Sequence, residues 1–295
     1  MDKIFIFLQH ILPQHLLSRW VGWLARLEHP VWLKNWLVHV FIRHFGVNMA
    51  EAADPDPTRY PSFNAFFTRP LREGARPLAQ ADILCPADGA ISQLGAIEGG
   101  RIFQAKGQSF SAWELLGGDT ERAPLFDGGR FATIYLSPRD YHRVHMPLAG
   151  RLTASRYIPG DLYSVNQVTA ANVPRLFARN ERLVCHFDTE VGPMAMVLVG
   201  AMIVASVDTV WAGQVCPGRS ACADHRYEDH APAIQIGKGE EMGRFKLGST
   251  VIALFGPGMA NLEGLFSPGD SVRMGQRIGV LSCETAAAEE QSAAD

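Results

Sequence analysis

Gly248-Ser249, inside the segment Phe245-Lys246-Leu247-Gly248-Ser249-Thr250, joins an unshielded carbonyl to a hydroxyl. Glycine has no Cβ, so a nucleophile can approach its carbonyl closely. A serine that follows can attack that carbonyl, which makes the step a candidate for self-cleavage. Taken alone, a Gly-Ser pair is most often a turn. Its weight comes from two other segments. Pro86-Ala87-Asp88-Gly89 sets a carboxylate in a turn ahead of an apolar run, and Tyr141-His142-Arg143-Val144-His145-Met146-Pro147 concentrates two histidines within four residues. Serine, histidine and aspartate are the parts of an activated hydroxyl: the imidazole takes the proton and the carboxylate orients the imidazole. Plainer readings stay open on residue type alone. Asp88 also suits an Asx turn, and His142 and His145 also suit hydrogen-bonded turn positions.

These residues need a scaffold, and the pattern between them predicts β-structure. Short apolar runs alternate with Gly, Pro and Asp turns from about residue 82 onward: Ala90–Leu94, Phe131–Leu136, Met196–Gly200, Ile203–Val207 and Thr250–Leu254. That spacing favours a sheet-rich domain over βαβ units. Pro61–Phe67 reads as a short helix capped by Ser62, and Asp54-Pro55-Asp56-Pro57 as a linker. The expected class is α+β, a sheet-rich core with N-terminal amphipathic helices. Its expected divisions are an amphipathic region 1–50, a β-rich domain 51–248, a segment 249–284 completing the same core, and a disordered tail 285–295.

The 295 residues carry a formal charge of −3, which argues against general nucleic-acid binding. Five cysteines at irregular spacing point to a reducing compartment without a disulfide framework. Residues 1–49 differ from the remainder. They hold Trp20, Trp23, Trp32 and Trp36, with Lys3, Arg19, Arg26, Lys34 and Arg43 interleaved, and Pro13 and Pro30 divide them into short helical pieces. One reading is a helical cap packed on the core. The favoured one is an in-plane membrane anchor, with Trp and Leu at the headgroup boundary and the basic residues meeting anionic lipid. No run reaches the roughly 18 to 20 apolar residues of a spanning helix, and no signal peptide is convincing.

Together the chemistry-bearing segments resemble the phosphatidylserine decarboxylase family, the prokaryotic membrane-associated type. Leu247-Gly248-Ser249-Thr250 is similar to its cleavage motif, and the Asp88 and His142–His145 segments to its other two signatures. Further similar blocks are Phe66-Phe67-Thr68-Arg69, Gln104-Ala105-Lys106-Gly107, Pro159–Asn166 and Phe177–Arg182, so the resemblance covers about residues 60–282. It implies that Ser249 Oγ attacks the Gly248 carbonyl, with His145 as base and Asp88 as its orienter. Position 249 then becomes a pyruvoyl group, which forms a Schiff base with the phosphatidylserine amine in place of pyridoxal phosphate. It also implies a heterodimer of the chain's own large (1–248) and small (249–295) pieces, attached peripherally to the cytoplasmic face of the cell membrane. His142 is a candidate for proton handling or for a supporting hydrogen bond. Tyr135, Ser164 and Asn166 are candidate substrate contacts, and Arg69, Lys106 and Arg139 are either phosphate partners or surface ion pairs. No metal is expected: Cys216, Cys222, His225 and His230 have looser spacing than structural zinc sites. Two other classes stay in view, a serine hydrolase with Ser249 intact, although no Gly-x-Ser-x-Gly elbow surrounds it, and a non-catalytic β-rich module that docks on membranes.

Overall fold

The computed structural model describes residues 9, 13–202, 206–215, 221–246, 249–262 and 264–282. Two helices come first, α1 (Gln14–Arg26) and α2 (Val31–Phe45), followed by the short α3 (Phe63–Phe67). Ser62 caps α3 by accepting from the Ala65 amide at 3.2 Å, as expected. The strands that matter for the site are β1 (Gly89–Ala96), β2 (Arg130–Leu136), β3 (Arg143–His145), β4 (Gly150–Ile158), β5 (Arg182–Thr189), β6 (Gly192–Val199), β7 (Glu241–Phe245), β8 (Ser249–Phe255) and β9 (Ser271–Val272). The α+β, sheet-rich expectation holds. Of the expected runs, Ile203–Val207 falls mostly outside the described residues, as do Gly248, Cys216 and the tail from 283.

A nine-stranded antiparallel sheet carries the molecule. Its order is Ala223–Arg226, β4, β5, β6, β8, β2, β1, β9, with Gln235–Ile236 also on β4. β8 therefore sits in the middle, paired with β6 on one side and β2 on the other. All seven of its residues are buried. Successive side chains alternate faces. Ile252 and Leu254 join the apolar layer that also holds Val38, Phe63 and Phe66, while Val251, Ala253 and Phe255 join the opposite layer with Leu198, Met196 and Phe187. A strand covered on both faces needs an unbroken apolar run, and Val251-Ile252-Ala253-Leu254-Phe255 supplies one.

The helices are attached by a few specific groups. Phe41 of α2 meets the rings of Phe63, Phe66 and Phe67 at 5.1, 6.0 and 5.8 Å. Lys34 is buried and donates to the carbonyls of Thr58 and Tyr60 at 2.8 and 2.6 Å. It is thus no lipid-facing cation, contrary to expectation. The same bonds, with Tyr60 Oη donating to the Asp54 carbonyl at 2.8 Å, tie down the segment expected to be a linker. What the pair leaves outside is aromatic: Trp20, Trp23, Trp32 and Trp36 are 66, 55, 70 and 58% exposed. No helix among the described residues is long and apolar enough to cross a membrane.

One glycine fixes the head of β1. A Cβ on Gly89 would lie 2.2 Å from the Tyr135 carbonyl oxygen, which cannot yield because it belongs to the paired strand β2. Gly89→Ala is expected to destabilise the fold by on the order of 3 kcal/mol, read as a fall in thermal midpoint. An unchanged midpoint would contradict the packing.

Candidate active site

The start of β8, the end of β2 and the start of β1 meet at one end of the sheet. Ser249 lies opposite Leu136, and Tyr135 opposite both Thr250 and Ala90. From Leu136 the chain turns through Ser137–His142 into β3. There the Asp140 carboxylate accepts from the Ser137 amide and hydroxyl at 2.7 and 2.6 Å. β3 pairs with β7, the strand that runs into the Gly248-Ser249 step, and the Phe245 amide donates to the His142 carbonyl at 3.0 Å. Pairing thus draws three sequence-distant segments, around residues 88, 142–145 and 249, to one place.

Both histidines have defined tautomers. His142 Nδ1 lies 2.9 Å from the Asp140 carbonyl oxygen, and His145 Nδ1 lies 2.9 Å from the Gly239 carbonyl oxygen. A carbonyl only accepts, so Nδ1 bears the hydrogen in each ring and Nε2 the lone pair. His142 is fully buried against Phe67, with ring centroids 4.1 Å apart, and burial drives its pKa down to about 3. Burial thus favours its neutral form near pH 7. His145 is also pushed down, mainly by burial, with the nearby Glu241 and Asp88 charges opposing. Its Nε2 is 3.0 Å from Tyr141 Oη. Burial raises the Tyr141 pKa, so the phenol keeps its proton and donates it to that lone pair.

Ser249 and Thr250 are fully buried, and among the described residues neither hydroxyl has a hydrogen-bond partner, nor has His142 Nε2. An unsatisfied buried polar group costs about 1–3 kcal/mol, and native folds keep few without a catalytic or comparable reason. Three such atoms occur in these adjoining segments.

Asp88 is near the histidines but differently engaged from expectation. Its carboxylate accepts from Arg76 Nε at 2.9 and 3.1 Å, from Arg76 Nη2, and from the Met274 amide at 2.8 Å. No hydrogen bond joins it to His145, whose orienting partner is the Gly239 carbonyl. Arg76 and Tyr141 are therefore site residues without an assigned role in the sequence reading. Tyr141 stood inside a recognised segment. Arg76 lies in an irregular stretch with no periodic or motif signal.

A cavity of about 730 Å³ opens at this end of the sheet. Asp88, Tyr135, Tyr141, Asn166, Arg69 and Arg139 are among its lining residues; Ser249, His142 and His145 are not. Four arginines against three acids give the lining a cationic balance. Asn166 also caps a short helix, accepting from the Thr169 amide at 2.9 Å. Ser164 does not line the cavity, and its amide donates to Gln9 Oε1 at 2.8 Å. Lys106 sits in a tight hairpin turn at φ 46°, also outside the cavity. Arg69 is 3% exposed and braces the site loop by donating to the Arg139 carbonyl at 3.1 Å, so it is not a surface ion pair. Among the described residues no group of His, Cys, Asp and Glu could hold a metal ion.

The pairing of β1, β2, β3, β7 and β8 thus gathers a buried hydroxyl at a strand head, two buried histidines and a carboxylate clasped by an arginine into adjoining segments. The comparisons with known proteins give the chain a family. A family model described as phosphatidylserine decarboxylase matches residues 63–280, and one described as PSD matches 4–46. The phosphatidylserine decarboxylase proenzyme of Stutzerimonas stutzeri is 59% identical over 98% of both chains. That of Azotobacter vinelandii is 59% identical over 95% of this chain and 99% of its own, and one from Pseudomonas aeruginosa is 60% identical over 95% and 97%. The chain belongs to the phosphatidylserine decarboxylase family. Its activity is that of a carboxy-lyase acting on phosphatidylserine.

Proposed function

We propose that the chain is made as a precursor, cuts itself between Gly248 and Ser249, and then converts phosphatidylserine to phosphatidylethanolamine and CO₂ with a pyruvoyl group made from Ser249. The observation that carries this reading is the Ser249 hydroxyl, buried at the head of β8 and without a partner among the described residues. It has no hydrogen bond to give up before attacking the preceding carbonyl. With serine at 249 the structure is that of the uncut chain, and the hydroxyl stands where the working enzyme has a ketone.

In this reading His145 is the base. Burial favours its neutral form, and its Nε2 lone pair, which accepts from Tyr141 Oη, becomes available once that hydroxyl swings away. Oγ bonds to the Gly248 carbonyl carbon, the peptide C–N bond breaks, and the nitrogen takes the proton. Elimination then releases the Gly248 carboxylate and leaves dehydroalanine, which takes up water and loses ammonia. Asp88 supplies negative charge near His145 throughout. The pyruvoyl group supplies a sink for the electrons released with CO₂. His142 handles a proton in this second reaction from its neutral form, through its unpartnered Nε2. The cationic cavity suits a phosphodiester headgroup, with Tyr135, Asn166 and Arg139 at its wall.

The remaining assignments belong to the same proposal. Residues 1–50 form the membrane-association region, 51–248 the body of the large chain, and 249–284 the part of the small chain inside the core. The two chains stay together as a heterodimer. The enzyme lies peripherally on anionic lipid at the cytoplasmic face, with the exposed tryptophans inserted.

Intact mass and a denaturing gel of purified protein test the reading. Two fragments are expected, the smaller starting at a blocked residue 249 lighter than serine. A single chain of full mass would leave the hydrolase or the non-catalytic module. His145→Ala is expected to slow processing at least a hundredfold, the usual span of a general base; processing at the normal rate would remove His145 from this role.

A further inference from the structure

The Arg76 side chain forms no hydrogen bond to either histidine or to Ser249, yet with the Met274 amide it holds Asp88. Its side chain is 7% exposed and that of Asp88 8%. Nε reaches both carboxylate oxygens, and Nη2 reaches Oδ2. The planar fork of a guanidinium permits this and a lysine ammonium does not. Nη2 also donates to Glu51 Oε2 at 2.7 Å, and Glu51 Oε1 lies 3.6 Å from Arg273 Nη1. Two cations and two carboxylates thus alternate as Asp88, Arg76, Glu51 and Arg273. Burial works against the Arg76 charge, but the two carboxylates raise its pKa above the ordinary arginine value, so it stays cationic.

The position of this row in the chain gives it meaning. Glu51 follows α2 closely, Arg76 and Asp88 precede β1, and Arg273 and Met274 lie beyond Ser249. The Met274 amide donates to the same Asp88 oxygen that Arg76 Nε reaches at 2.9 Å. Removing the Arg76 cation would leave two largely buried carboxylates facing each other, an arrangement that costs far more than a missing surface pair. Asp88 would then swing toward water or toward another donor.

We propose that Arg76 is a positioning residue for self-processing: it fixes the Asp88 carboxylate beside His145 by fork-shaped charge pairing, with Glu51 bracing it from the membrane-side helices. This rests on the proposed self-cleavage at Ser249. The two fail separately: a wild-type chain that never splits defeats the cleavage reading, whereas a wild type that splits and a variant that splits equally fast defeat this one.

The test follows first-order cleavage of full-length chains made by cell-free synthesis, on a denaturing gel. Arg76→Gln is expected to be slower by about thirtyfold or more, as for loss of one partner of a buried ion pair. Arg76→Lys, which keeps the charge but loses the fork, is expected to fall only about three- to tenfold below wild type. Glu51→Gln/Arg76→Gln, which also removes the facing like charge, is expected to cleave faster than Arg76→Gln alone. A role in packing alone would give no rescue by either route, and that result overturns the proposal. If Arg76→Gln yields no folded protein, Arg76→Lys decides alone: cleavage at the wild-type rate overturns the proposal, and the three- to tenfold loss supports it.

Discussion

Ser249→Ala yields one uncut chain with no decarboxylase activity. This is the largest effect expected anywhere in the molecule, because the substitution removes both the nucleophile and the precursor of the ketone. The fold should be untouched. Among the described residues Ser249 has no side-chain hydrogen bond to lose, and alanine differs from it by one oxygen in a fully buried site. Removing an unsatisfied hydroxyl from a dry core is close to neutral or stabilising. The expected result is therefore full-length mass, no activity, and a thermal midpoint equal to or above that of a wild-type precursor. Two fragments from the Ser249→Ala chain would place the cut elsewhere and end the proposed mechanism. A folded, uncut and inactive chain also makes the best reference for the His145 variant, since it separates loss of chemistry from loss of structure.

The second large effect concerns the surface. Replacing Trp20, Trp23, Trp32 and Trp36 with serine is expected to abolish sedimentation with anionic vesicles while leaving self-cleavage in solution intact. Each ring presents on the order of 150–250 Å², and all four are more than half exposed. At roughly 25 cal/mol per Å² the four rings together carry on the order of 10 kcal/mol of gross transfer free energy. Ordering and partial insertion reduce that figure, but even a quarter of it corresponds to roughly two orders of magnitude in binding. Unchanged sedimentation of the serine variant would refute the interfacial reading. Truncating the helices is a poorer test, because Val38 and Phe41 also cover Phe63, Phe66 and Phe67. A chain without them would expose fresh apolar core and could bind lipid for the wrong reason. With Lys34 buried, Arg19, Arg26 and Arg43 are the described helical residues expected to carry the charge-dependent part of that sedimentation.

The strands and the site segments were legible in the sequence because their signals are local. A doubly buried strand needs the run Val251–Phe255, and an activated hydroxyl needs the residue types at 88, 142–145 and 249. The partner choices were not legible, because they depend on which backbone arrives from elsewhere. Asp88 was read as the orienter of His145. In the fold, the Gly239 carbonyl arrives on the loop before β7 and takes the Nδ1 hydrogen, while Arg76 arrives from an irregular stretch and takes the carboxylate. Lys34 looked like a lipid-facing cation by composition, yet the turn carrying Thr58 and Tyr60 folds under it. Ser164 shared a recognised block with Asn166, but the backbone carries only Asn166 to the cavity wall. Tautomers and proton availability follow from such contacts, so the neutral state of His142 could not be read from its place in a motif.

The central place of β8 has a consequence for when the chain can be cut. With Val251, Ile252, Leu254 and Phe255 essentially inaccessible, and about 2 kcal/mol per large buried apolar side chain, the strand is held by its neighbours and not by the bond at its head. Continuity of the chain serves to deliver β8 into the gap between β6 and β2 while the sheet assembles. After that the connection is dispensable. Under the proposed self-cleavage the order of events is therefore assembly first, then scission.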